Sequence, residues 1–264
     1  MPKIFLGRNL YRNRNPNPPA ADFFSGDEIV VTQKETPVPR YAVYFVPEAG
    51  TPLATFGARW LGYDIETGVR APRDYLGLDP DLADQVVAEP AIYGFHATLK
   101  APFRLRNSAS PELLTERLAR VAQSKRRIGN VRLEVAQLGS FLALRPAFGA
   151  GLTRLASQFT MSLESFRAPI SERERQHRLG ANLTPYQRIL FETYGYPFVL
   201  DEFRFHMSLT GPLEKSERKT VEPALRDAKA DLAADPIEVS SICLAVQPEP
   251  GAPFRVQERF ALCH

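Results

Sequence analysis

Apolar positions along this chain switch between a spacing of two residues and one of three to four, and the switches mark its elements. The first regular run is YAVYFV after Arg40, β-branched and aromatic and bounded by Pro39 and Pro47, which predicts a strand. Over residues 51–63, Leu53, Phe56, Trp60 and Leu61 return at helical spacing, and Pro52 suits a first helical turn. A long loop carrying Pro72, Pro80 and Pro90 is expected next, then a strand in FHATLKA. Ser110, Pro111 and Glu112 open a helix that runs through Leu113, Leu114, Leu118 and Val121 to Lys125, Arg126 and Arg127. It is acidic at its start and basic at its end, as the helix dipole favours. Strands in VRLEVAQ and SFLALR follow.

The second half repeats the order with some loss. Amphipathic helices are expected over 150–166 and 185–194, a strand in RFHMSLT, a charged helix over 215–234, and strands over 237–246 and 254–262. Strand–helix–strand–helix–strand–strand, given twice, predicts an α+β protein of two related lobes with two mainly antiparallel sheets. Residues 40–264 then form one bilobed domain. Residues 1–39, with six prolines among Asn and Arg, form a flexible lead-in, in which IVVT at 29–32 is a candidate edge strand.

Composition narrows the class. The 264 residues are 44% hydrophobic and 24% charged, enough to bury a core without disulfides or a structural metal. A formal net charge of +3 is a weak handle for long nucleic acid but leaves room for a local anion pocket. Cys243 and Cys263 lack C-x-x-C spacing, which argues against a zinc or redox pair and for a reducing, cytoplasmic setting. No apolar run approaches the roughly 20 residues that span a membrane. The basic N-terminus reads as a flexible tail rather than a transit peptide.

A duplicated fold ought to leave a duplicated motif. Around His96 the chain reads YGFHATLKAPF and around His206 it reads FRFHMSLTGPL, which align without gaps as Phe-His-x-[Thr/Ser]-Leu-x-[Ala/Gly]-Pro-[Phe/Leu]. The motifs, at 93–103 and 203–213, claim two of only four histidines. Strand alternation puts Phe95, Ala97 and Leu99 on one face and His96, Thr98 and Lys100 on the other. It likewise separates Phe203, Phe205, Met207 and Leu209 from Arg204, His206, Ser208 and Thr210. Each lobe thus offers an imidazole, a hydroxyl two residues on and a nearby cation. If a two-fold relates the lobes, the two sets face each other across a cleft.

Such a cleft suits a phosphoryl group. Thr98 and Ser208 can donate to its oxygens, with Lys100, Arg204 and Thr210 as further binding candidates. Histidine titrates near neutrality, so one ring can serve as base and the other as acid, as hydrolysis of a cyclic phosphodiester requires. A single histidine on a half-buried strand is ordinarily a packed or solvated residue; the second copy in the same frame reverses that reading. His177 reads as a solvated helix or loop residue and His264 as a frayed terminus. The hydroxyl companions are poor primary metal ligands, and no G-x-S-x-G, G-x-x-x-x-G-K-[ST] or G-x-G-x-x-G is present.

At HATL and HMSL the sequence resembles the two-histidine (2H) phosphoesterase superfamily, from about Arg40 to the end. The resemblance implies a duplicated bilobed fold around a central cleft, with His96, Thr98, His206 and Ser208 at its floor. RYAVYF, YGFHATLKAPF, FLAL and YGYPFVLDEFRFHMSLTG resemble the subgroup encoded beside carbon–phosphorus lyase genes and named for phosphonate metabolism. That implies a small ribosyl or cyclic phosphate as substrate. The expectation is a metal-independent cyclic phosphodiesterase needing no cofactor, with catalytic His96, His206, Thr98 and Ser208. Its partner is a small phosphorylated substrate, with no DNA or membrane. The alternatives are an RNA end-processing or 2′–5′ RNA ligase-like enzyme, for which Lys125, Arg126, Arg127 and Arg132 are a candidate track, and a non-catalytic module that binds a phosphorylated ligand.

Overall fold

Eleven strands and seven α-helices alternate along the described chain in a computed structural model, which covers residues 38–179, 183–232 and 236–264. The lead-in and its IVVT segment lie outside the described residues, as does the side chain of His177. In chain order the elements are β1 (Arg40–Phe45), α1 (Pro52–Leu61), β2 (Tyr63–Asp64), β3 (Val69–Arg70), α2 (Pro80–Ala91), β4 (Ala97–Arg104) and α3 (Pro111–Gln123). There follow β5 (Ile128–Val131), β6 (Leu133–Leu138), β7 (Phe141–Pro146), α4 (Ala150–Ser162), α5 (Glu172–Leu179) and α6 (Pro185–Tyr194). The chain closes with β8 (Met207–Ser208), α7 (Lys215–Asp231), β9 (Ile237–Val239), β10 (Ser241–Gln247) and β11 (Arg255–Ala261).

The α+β class with antiparallel pairing and outer helices is present, and the two expected sheets meet edge to edge. Seven strands run in the order β11-β10-β1-β4-β8-β7-β6, joined in the middle by the antiparallel pair Ala97–Met207 of β4 and β8. Two two-stranded ladders, β2-β3 and β5-β9, stand apart. The lobes are not the contiguous halves that the repeated element order suggests. Hairpin β6-β7, from the first half, packs on β8, whereas β10-β11, from the end of the chain, packs on β1.

One face of the sheet carries the main core. Phe95, Ala97, Leu99, Phe205, Met207 and Leu209 meet Trp60 of α1, Leu118 of α3, Leu155 and Phe159 of α4 and Val221 of α7. On the opposite face a smaller cluster of Ala42, Tyr44, Val46, Cys243, Ala245 and Phe254 covers only the β1-β10 side. The remainder of that face is left open to form a cleft.

The stretch expected as a Pro-rich loop contains α2. Pro80 occupies its first turn, where its missing N–H costs nothing, Asp79 caps it by accepting from the Leu82 N–H at 3.0 Å, and Pro90 falls in the last turn. The second motif strand is also shorter than RFHMSLT suggests. Side chains supply what its ladder lacks: Trp60 Nε1 donates to the Leu209 carbonyl at 2.7 Å, and Thr210 Oγ1 accepts from the Leu142 N–H at 3.0 Å. Among the described residues no helix is long and apolar enough to cross a membrane. Cys243 is buried and Cys263 exposed, both as free thiols.

Candidate active site

Antiparallel pairing at Ala97–Met207 has a direct consequence for the flanking residues. Continued by one residue each way, the register sets His96 opposite Ser208 and Thr98 opposite His206, on the face away from the main core. The burial pattern agrees: Phe95, Ala97 and Leu99 are buried while His96 and Thr98 are half-buried, and Phe205, Met207 and Leu209 are buried while His206 and Ser208 are half-buried. His96, Thr98 and Ser208 line a cleft of about 610 Å³. His206 stands beside it, its ring 5.7 Å from that of Phe141, which is part of the lining.

The two imidazoles are anchored alike. Nδ1 of His96 donates to the Gly94 carbonyl at 2.9 Å, and Nδ1 of His206 donates to the Arg204 carbonyl at 2.7 Å. Each bond reaches back two residues to a group that only accepts, so the proton of each neutral ring sits on Nδ1 and Nε2 carries the lone pair. At His96 that lone pair accepts from the Thr98 hydroxyl at 3.0 Å. Gly94 turns its carbonyl toward the ring from a left-handed backbone (φ +71°), where an added Cβ would come within 2.6 Å of Ile65.

Electrostatics keeps both rings neutral in the free protein. Burial pushes His96 down to about 4, which the Gly94 carbonyl only partly offsets, and the charge of His206 lowers it further. His206 is also lowered, first by burial and then by Arg145, against the raising effect of the Arg204 carbonyl. Among the described residues no three His, Cys, Asp or Glu side chains gather as metal ligands do.

The family model described as a protein of unknown function, DUF1045, matches residues 98–255, which takes in the second motif whole and the first from Thr98 onward. The chain belongs to the DUF1045 family. Two relatives, from Janthinobacterium sp. (strain Marseille) and Laribacter hongkongensis (strain HLHK9), both bear the name ribose 1,5-bisphosphate phosphokinase PhnN. Each is 32% identical, over 244 and 223 residues that make up 89% and 82% of this chain but 53% and 50% of theirs. The chain therefore spans about half the length of the curated relatives it matches. Among solved structures it is similar to a phosphoesterase (TM-score 0.37, 13% identity, covering 85% of this chain and 99% of that one). A second is a conserved protein of unknown function from Agrobacterium tumefaciens (TM-score 0.44, 13% identity, 83% and 84%).

In this DUF1045 chain the remaining binding candidates are placed differently from the four motif residues. Lys100 is only 3% exposed and lies outside the cleft lining; its Nζ donates to Glu164 at 3.0 Å and to the Thr160 carbonyl at 3.2 Å. The reason is local. The register of β4 against β1 slips on both sides of the Val43–Lys100 pair, with the extra residues on β4, and this turns Lys100 toward the helices. Arg204 is exposed, lies outside the lining, and serves the site through its carbonyl. Thr210 does line the cleft, but its hydroxyl is taken up by the Gly211 carbonyl and the Leu142 N–H.

The cations in the lining are instead Arg40, Arg104 and Arg167. Arg104 is held in a two-pronged pair by Glu174, at 3.0 and 2.6 Å. Burial raises the Glu174 carboxyl, but hydrogen bonds from Arg104 and Ser171 outweigh it and hold the group at about 2. Arg167 is bound by Glu164 at 2.7 Å, whereas Arg40 gives Nε to Gln247, at 2.7 Å, and lies over the Phe254 ring at 5.6 Å. None of Lys125, Arg126, Arg127 and Arg132 lines the cleft. The motifs did not point to Tyr44, which stacks on His96 with ring centres 3.7 Å apart. Alternation in RYAVYF, which shares one face among Arg40, Ala42 and Tyr44, is the signal that finds it.

Proposed function

We propose that this protein is a phosphoesterase that opens a small cyclic phosphodiester of ribose, of the 1,2- or 2′,3′-type, with its own side chains and without a metal. The observation that carries the reading is the matched anchoring of His96 and His206, each with Nδ1 on a carbonyl two residues back and each presenting Nε2. Nε2 of His96 takes a proton from water as the water oxygen bonds to phosphorus. The ester P–O bond on the far side breaks, and its oxygen takes the proton carried on Nε2 of His206. Solvent then returns both rings to their starting states. The phosphomonoester product contains one added water, so the step balances.

His96 suits the base, because burial favours its neutral form. His206 suits the acid, since the negative charge of a bound phosphodiester opposes the lowering that His206 shows alone. Thr98 turns its hydroxyl from Nε2 to a non-bridging oxygen as water arrives, and Ser208 donates to the other. The relatives' name supports a ribosyl phosphate as the substrate class and phosphonate metabolism as its setting. Its phosphokinase part is better assigned to the half of those relatives that this chain does not match, because G-x-x-x-x-G-K-[ST] is absent here.

The test is turnover of a panel of ribose and nucleoside cyclic phosphates with and without a chelator. Hydrolysis that survives chelation is expected. Activity that disappears with chelator and returns with added metal overturns the mechanism, and tight binding across the panel without turnover leaves a ligand-binding module in its place.

A further inference from the structure

Tyr44 sits opposite Thr98 across the β1-β4 ladder and belongs to the small cluster beneath Phe254 and Tyr93. It is 0% exposed, its ring lies against His96, and it forms part of the cleft wall together with Arg40 and Tyr93. Its hydroxyl is buried and has no hydrogen-bond partner among the described residues. A buried hydroxyl left unpaired is destabilising, and phenylalanine would fill the same space without that cost. Nor does the fold demand a tyrosine. In the other lobe the matching position, across β7-β8 from Ser208, is held by Ala143.

We propose that Tyr44 is a substrate-contacting residue: its ring holds His96 in place, and its hydroxyl donates to an oxygen on the alcohol half of the bound ester. This assignment rests on the phosphoesterase reading above. The Tyr44 ring lies 5.8 Å from that of Phe254, against which Tyr93 stacks at 5.5 Å and over which the Arg40 guanidinium sits at 5.6 Å, so Tyr44 shares with Arg40 and Tyr93 the β1 side of the cleft, across β4 from the strand of the second motif. It therefore meets the substrate beyond its phosphorus. Arg40, held by its Nε bond to Gln247 and by the Phe254 ring beneath its guanidinium, supplies donors to the same end. Specificity for an alcohol half rich in oxygen follows, because an analogue lacking that oxygen leaves the phenol unpaired.

The experiment compares the wild type with Tyr44→Phe on two probes, 2′,3′-cyclic AMP, whose alcohol half carries further oxygens, and ethylene cyclic phosphate, whose alcohol half does not. The expected result is a rise in KM of about three- to tenfold for the nucleotide, the worth of one hydrogen bond, against a distinctly smaller rise for the ethylene ester. The melting temperature of the free variant should be equal to or above that of the wild type. Equal losses on both probes, or a variant that melts several degrees lower, overturns the assignment. Calorimetric Kd values for the same pair of probes separate the two readings. If the wild type binds without turnover, hydrolysis fails and the Kd ratio alone judges Tyr44; if it binds neither probe, the Tyr44 contact is refuted.

Discussion

The strand that begins just after His96 runs for eight residues and the one just after His206 for two, yet both imidazoles hang from a carbonyl two residues back. What is common to the motifs is the part that sets the tautomer. What differs is the support. His96 has Thr98 on Nε2, Tyr44 against its ring and a left-handed Gly94 behind it, whereas His206 has only the looser Phe141 and bonds to the carbonyl of an arginine without left-handed backbone. Among the described residues no bond from Ser208 to His206 matches that of Thr98. A symmetric pair of rings has thus been placed in unlike surroundings, which is how two equal groups come to do unequal work.

The largest effects should come from the shared part. His96→Ala and His206→Ala are each expected to cut kcat by a factor on the order of 10²–10⁴. The double variant should be little slower than either, because the rings act as a unit. Near-normal rates in both single variants would break the pairing. The hydroxyls should sharpen the contrast next. On the proposed mechanism, Thr98→Ala and Ser208→Ala each remove a donor to the phosphoryl group, with an expected loss in kcat on the order of 10².

A third comparison sets Lys100 against the cleft. Lys100→Met removes one of the two cations on Glu164, which keeps Arg167, and should cost about 1 kcal/mol of stability by denaturant unfolding, without raising KM. A raised KM with full stability would return Lys100 to the binding site.

The smallest effect is a slope with pH. His96 titrates at about 4 when folded against an ordinary 6.5, so between those values the unfolded chain binds more protons and stability must fall as pH is lowered from 6.5 to 4. Glu174, held at about 2 against 4.5, adds its own loss only below 4.5. Unfolding free energies measured across pH 4.5–6.5 therefore report the histidines, and His96→Gln should flatten that slope. For the same reason the kcat/KM profile, which reports the free protein, should have its limbs on the acid side of 6.5 rather than centred on neutrality.

Much of the site is legible in one dimension. Period-two alternation is a local property of each strand, so the order of residues alone puts His96 and Thr98 on one face, and His206 and Ser208 on one face. The same rule misplaces Lys100, because slips in ladder register belong to two strands at once and leave no mark on either alone. The helix α2 is hidden by prolines that sit at its ends, where they are tolerated. Which hairpin lies on which motif strand is not legible, since element order says nothing about non-local pairing. Tyr44 is within reach of the alternation argument, but its significance lies in an unpaired hydroxyl that only three dimensions reveal.

The exchange of hairpins makes the two lobes inseparable. Arg40 in β1 bonds Gln247 in β10, 207 positions away, and the second motif strand leans on β7 and on Trp60 from the first half of the chain. A chain nicked between β7 and β8 would yield two fragments, each holding one of the two motif histidines and the edge strands that the other requires. Neither fragment contains a complete half-sheet, so the two should remain unstructured apart and regain order, and any activity, only when mixed.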